Sequence, residues 1–341
     1  MPTLRSAALV FAALIALPAV AQTPGPAQLT GPDRALKLIA GAKKEGALSL
    51  YSSAPIEVMT DVTNAFSRKY GVKVSLWRGG SEEIMQRVIT ESRGGRVSAD
   101  VMETAGPNIE AANREKLLTP VDTPVAAELM PEAFSRTRPW IVSRLSVFTI
   151  AYNTNVVKRA DAPKTYADLA DPKWKGKLGI ESDDGNWLMT MSDSMGGDKI
   201  FRDIVAKNGI SIRKGHALLA QLIASGEVPV ALDSYYDEIG SLKKTGAPVE
   251  TVFATPVVAM PTAVGVFKRA AHPYAAVLFV DFLLSEEGQT ILANHNVVPT
   301  NTKVQHLPAG VKLVFMDVGK YLDENAKWTK TYKDIFAARG R

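Results

Sequence analysis

The chain has 341 residues and no cysteine, which excludes a disulfide framework, thiolate metal sites and cysteine nucleophiles together. Its 40 Lys and Arg are scattered among 35 Asp and Glu, for a formal charge of +5. That balance suits solubility and excludes a nucleic acid face built on a basic block.

In chain order, "MPTLRSAALVFAALIALPAVA" carries one charge, Arg5, ahead of an apolar run and ends in the small-x-small pattern Ala19-Val20-Ala21. It reads as a secretory signal peptide cleaved after Ala21, which implies export to the periplasm. Loss of Arg5 takes the net charge from +5 to +4. No other stretch reaches the roughly 18 apolar residues of a spanning helix, so no direct membrane insertion is expected. "TPGPAQLT" then reads as a flexible leader.

The folded part starts near Asp33. "RALKLIAGAKKEG" has helical spacing, "ALSLY" alternates into a strand, "IEVMTDVTNAFSRKYG" is helix and "VKVSLW" strand. "RGGSEEIMQRVITES" predicts a turn and a helix capped by Ser81, with Glu82 and Glu83 suited to the positive helix end. A short strand through Asp100 and Val101 leads into "METAG". Strand–helix alternation implies a mostly parallel sheet covered by helices, with ligand bound at loops on the strands' carboxyl ends. In this half those loops hold Tyr51, Ser52, Ser53, Gly79-Gly80-Ser81 and Thr104.

After Thr119 the texture changes to loop and short helix, followed by the apolar strand "SVFTIAYN". "DLADPKWKGKLGI" is turn and strand, "DIVAKNG" and "HALLAQLIASG" are helical, and "VPVAL" is a strand leading straight to Tyr235 and Tyr236. "PTAVGVFK" is another strand. "PYAAVLFVDFLLSEEGQTILA" reads as one helix, and "DENAKWTKTYKDIFAARGR" as an amphipathic helix packed on a lobe. The division expected is a signal peptide, 1–21; a leader, 22–33; a first lobe, 34–119, to which 256–300 returns; and a second lobe, 120–255, with the C-terminal helices of 301–341 packed on it.

Several phrases, in order from about residue 40 to 300, carry a resemblance: "YSSAPIEVMTDVTNAFSRKYGVKV", "AYN", "DLADPKWKGKLGI", "SGEVPVALDSYY" and "FVDFLLSEEGQTILA" ending in "VVPTN". The chain resembles the ferric-iron-type branch of the periplasmic solute-binding proteins. The resemblance implies an α/β class II periplasmic binding protein fold, two α/β lobes joined by crossover hinge strands. It also implies a monomer that closes on a solute and delivers it to an ABC permease and its ATPase, with no cofactor of its own. In iron-binding members an adjacent tyrosine pair supplies phenolate ligands, and Tyr235 and Tyr236 match that pair, with Fe3+ as transported cargo. Ferric ion prefers anionic oxygen and displaces a phenol proton.

The remainder of an iron shell is thin. Where other members place a histidine or charged residue, this chain has Ser52-Ser53-Ala54, and its four histidines, His216, His272, His295 and His306, fall much later. A subgroup adds a third tyrosine from the loop where this chain has "DDGNW", and alignment by eye gives Trp187 there, whose indole cannot ligate. Tyr51, Glu103 or an exogenous anion are the alternatives to complete the shell. The same scaffold suits a small carboxylate or phosphonate: Ser52, Ser53 and Ser81 at helix N-termini, tyrosine hydroxyls as donors and Trp187 as an apolar wall. Two other classes compete. No recognised enzyme motif occurs, so no enzymatic activity is expected. A soluble receptor feeding a separate sensor would use the same fold.

Overall fold

The computed structural model describes residues 25–95, 97–134, 137–304 and 306–337, so the signal peptide and its cleavage site lie outside the described residues. The first elements are α1 (Arg34–Glu45), β1 (Ala47–Ser52), α2 (Ile56–Tyr70), β2 (Lys73–Arg78), α3 (Ser81–Arg93), β3 (Val101–Ala105), α4 (Gly106–Arg114) and β4 (Leu118–Thr119). Strands β2, β1 and β3 run parallel in that order. Helices α1 and α2 each stop at a glycine with positive φ, Gly46 at 70° and Gly71 at 72°, a conformation that costs glycine nothing.

The chain then crosses over in β5 (Ile141–Asn153), all of whose residues are buried. A second α/β unit follows: β6 (Leu178–Glu181), α5 (Gly185–Met195), α6 (Lys199–Asn208), β7 (Ser211–Arg213), α7 (His216–Ser225), β8 (Val230–Tyr235), α8 (Tyr236–Lys244) and β9 (Val249–Val252). The return is made by β10 (Val257–Phe267), then α9 (Pro273–Leu284), α10 (Glu286–Asn294), β11 (Val298–Pro299), β12 (Leu313–Phe315) and α11 (Val318–Phe336).

The strand order β2-β1-β3-β10-β5-β8-β6-β7 makes β10 and β5 the connection between two α/β lobes. The first half of β5 pairs antiparallel with β10, and its second half with β8 and β9. The functional consequence is that residues midway along β5 stand at the join, within reach of both lobes.

Five expectations change. The run from Pro273 is two helices, because Ser285 leaves helical geometry (φ −65°, ψ 161°) and its Oγ caps the next helix at the Gly288 N-H, 3.3 Å away. Gly288 is required there, since a Cβ would strike the Phe282 carbonyl. The cap of α3 is Gly80, not Ser81, which is the first helical residue. Met102 to Ala105 is strand, not loop, and "DDGNW" runs into the first turn of α5. Finally, α11 lies against both lobes: Arg114 of α4 pairs with Asp323 and reaches the Gly319 carbonyl, while Tyr332 donates to the Glu181 carbonyl at 2.6 Å.

Candidate functional site

The carboxyl ends of β1 and β3 bring Ser52 and Glu103 together. Ser52 is fully buried; its Oγ donates to Glu103 Oε2 at 2.7 Å and accepts the Ala54 N-H at 3.1 Å. The Ser53 N-H donates to the Glu103 carbonyl. Glu103, also fully buried, accepts from Arg144 Nε at 2.8 Å. Arg144 is the one charge in the apolar strand β5, and the Glu103 pairing offsets the cost of burying both ions. Ser81 Oγ accepts the Ala105 N-H at 3.4 Å. Thr104 is fully buried, and its hydroxyl has no hydrogen-bond partner.

In the second lobe, β8 delivers Tyr235 as its last residue and Tyr236 opens α8, so the pair straddles a strand–helix junction. The two rings part there. Tyr235 stacks on His216 with centroids 3.6 Å apart and meets Phe148 edge-on at 4.9 Å. Tyr236 instead packs against Phe253 at 5.2 Å and His306 at 5.8 Å. Among the described residues the rings share no aromatic neighbour.

His216 Nε2 lies 3.1 Å from Asp184 Oδ2, near enough to pair as charges, although the angle makes no hydrogen bond. Burial of the imidazole opposes its charge, but Asp184, then Asp233 and Glu181, outweigh burial and push the pKa up to about 9. His216 is therefore charged at neutral pH. The phenol of Tyr235 is pushed far above its ordinary range by burial and by Asp184, Asp237, Asp233 and Glu181. Burial likewise raises Asp237, against the opposing charges of Arg144 and His216. Glu238 is raised by burial and by Asp237. Asp183 is raised by burial, with Lys333 opposing, and it feels Glu82 from the first lobe.

The cluster thus collects carboxyls and a phenol around two cations, and one of those, Arg144, is committed to Glu103. Such a site can receive positive charge. An incoming cation that displaces these protons offsets the repulsion between the anionic oxygens it leaves behind.

The other residues singled out from the sequence lie elsewhere. Trp187 is fully buried in the second lobe's core, with ring centroids 5.0 Å from Phe201 and 6.0 Å from Tyr166. Tyr51 is 4% exposed, donates to Glu91 at 2.8 Å and packs edge-on to Trp77. Burial and Glu91 push its phenol up to about 12. Sequence reasoning missed His216, Asp184 and Arg144. Only Arg144 left a signal, as an isolated charge in an apolar run.

Comparison with known proteins gives a match to the family "Bacterial extracellular solute-binding protein" over residues 52–290. The chain is 27% identical to Iron uptake protein A1 of Synechocystis sp. over 287 residues, 78% of each chain. It is 27% identical over 240 residues to a putative 2-aminoethylphosphonate-binding periplasmic protein of Salmonella paratyphi A, covering 67% of this chain and 69% of that one. Among solved structures it resembles iron-bound HitA from Pseudomonas aeruginosa, with a TM-score of 0.70 at 25% identity, covering 85% of this chain and 99% of that one.

Proposed function

This chain belongs to the bacterial extracellular solute-binding protein family, and we propose that it captures ferric iron between its two lobes as cargo for an ABC importer. The observation that carries this reading is the setting of Tyr235, whose ring stacks on His216 beside Asp184 and whose phenol feels the charge of Asp184, Asp237, Asp233 and Glu181. Phenol and carboxylate are the hard oxygen donors a ferric ion prefers. A cation strong enough to displace the phenol proton also relieves the crowding of carboxyls. Tyr235 would ligate the ion and the carboxyls around it would supply attracting charge, with Ser52, Ser53, Ser81 and Thr104 facing it from the first lobe; among the described residues no three His, Asp or Glu side chains are grouped closely enough to hold a metal by themselves. Tyr236 and Trp187 would stay outside its contacts.

Binding would shift a hinge equilibrium about β5 and β10 toward a closed form, because only a bound solute touches both sides at once. The closed form would then dock on a membrane permease whose ATPase partner drives release. The signal-peptide pattern and the periplasmic relatives support export to the periplasm, with cleavage after Ala21; the mature chain would act as a monomer. Among the described residues no helix is long and apolar enough to cross a membrane.

One observation favours a second reading, a small organic anion: His216 is charged at neutral pH and Arg144 lies at the join. A zwitterion carrying an amine and a phosphonate would satisfy both charges of the cluster. Melting temperature and X-ray scattering separate the readings, because a ligand of the native state raises its stability. Ferric citrate should raise the melting temperature and shrink the radius of gyration more than carboxylates or phosphonates do. A response to the anions alone would replace iron with the second reading.

A further inference from the structure

We propose a second ligand site, on the hinge flank of the second lobe and separate from the Tyr235 cluster, that takes a small organic polyanion with an aromatic or apolar body. The site is a cavity of ≈880 Å³ between one face of α8, strand β9 and the segment around residues 159–164, with Asn296 and Pro308 closing its far side. That volume falls within the range of small-molecule pockets.

Charge defines the class of ligand. Arg159, Lys164, Lys243 and Lys244 all line the cavity, against one acid, Glu250. Both Glu250 oxygens are taken by Lys243 Nζ, at 2.8 and 2.7 Å, and Lys244 Nζ donates to the Asn294 carbonyl at 3.0 Å. The side chains of Arg159 and Lys164 make no hydrogen bond or ion pair with any described residue. The cavity therefore keeps uncompensated positive charge, directed by one guanidinium and by ammonium groups on two elements, which favours an anion with more than one acidic group.

The walls define the body of the ligand. Tyr236 and Phe253, with ring centroids 5.2 Å apart, give the cavity an aromatic side. The Tyr236 hydroxyl has no hydrogen-bond partner among the described residues and is free to donate. This gives the second tyrosine of the pair a task of its own, facing away from its neighbour's carboxyl cluster.

Position gives the site a consequence. α8 and β9 belong to the second lobe, whereas Asn296 follows α10 after the chain has returned through β10. Gly240 on α8 sits so close to Asn296 that a Cβ there would come within 3.3 Å of its side chain. A polyanion in the cavity thus touches both sides of the hinge, and it alters closure to the extent that it binds the open and closed forms unequally.

The test uses the metal-free mature protein and benzene-1,3,5-tricarboxylate as probe, followed by calorimetry at low salt. The wild type should bind it, and benzoate should bind more weakly. Arg159→Glu and Lys164→Glu, both at exposed side chains that make no hydrogen bond or ion pair with any described residue, Arg159 acting on Glu250 through charge alone, should each weaken the tricarboxylate by about tenfold or more with unchanged circular dichroism. Tyr235→Phe should leave it unaltered. Absence of binding at millimolar probe, affinity indifferent to both charge reversals, or affinity lost in Tyr235→Phe would each overturn the proposal.

Discussion

The ring of Tyr235 stacks on the imidazole of His216 with planes 27° apart, and the Nε2 of that imidazole lies 3.1 Å from Asp184 Oδ2. A charged histidine thereby contacts both a phenol and a carboxylate, and this arrangement makes the protein's stability depend on pH.

The sign follows from linkage. The folded-state pKa of His216 is raised from 6.5 to about 9, so its contribution is fully present below pH 6.5 and is lost as pH climbs through 9. The size is about 3 kcal/mol at full loss. Raised carboxyls at Asp237, Glu238 and Asp183 act in the same direction from lower pH, because each is harder to ionise in the folded chain. Denaturant unfolding of metal-free protein should show stability falling between pH 6 and 9, with the fall much reduced in His216→Gln. An unchanged slope in that variant would contradict the pairing with Asp184.

Glu103 and Arg144 form a buried pair with side chains 1% and 8% exposed. Glu103→Ala leaves the guanidinium without its partner and should cost about 3–5 kcal/mol. The double substitution Glu103→Met, Arg144→Met should recover much of that loss, since no buried charge is then unpaired. Chemical denaturation of the three proteins checks both statements.

Trp187 separates a packing role from a binding role. Trp187→Phe should lower stability by about 1–3 kcal/mol, because the ring lies fully buried beside Phe201 and Tyr166. Affinity for cargo, measured at a temperature where the variant is folded, should be unaltered. A loss of affinity without a loss of stability would place the indole at the ligand.

Cation capture should release protons. Tyr235, Asp237 and Glu238 all hold their protons more firmly than usual in the empty site, and an incoming cation reverses that. Calorimetric titration in buffers of different ionisation enthalpy should give heats that differ in proportion to the protons released. Equal heats in all buffers would contradict cation capture among these groups.

The α/β order was legible in the sequence because it is local, whereas the crossover came only with the family resemblance, since β5 and β10 lie more than a hundred residues apart in the chain. Helical spacing, strand alternation and glycine stops at Gly46 and Gly71 fixed most elements to within a few residues. The site was less legible. His216 opens a helix some twenty residues before Tyr235 in the chain, and only the parallel pairing of β6 with β8 and β7 gathers Asp184, His216 and Tyr235. Trp187 was misplaced because "DDGNW" has loop composition, yet Gly185 starts a helix there. That glycine fits tightly, since a Cβ would come within 3.1 Å of the α11 backbone at Trp328. The direction of the two phenols depends on the turn from β8 into α8, which no pattern of residue types records.

The most direct measurement is a ferric citrate titration of the metal-free protein, followed by visible absorption, on wild type, Tyr235→Phe and Tyr236→Phe. A phenolate-to-iron charge-transfer band should grow and saturate in wild type and in Tyr236→Phe, and should be lost in Tyr235→Phe. A wild-type protein that stays colourless, or a band that survives Tyr235→Phe, would contradict iron capture at this cluster.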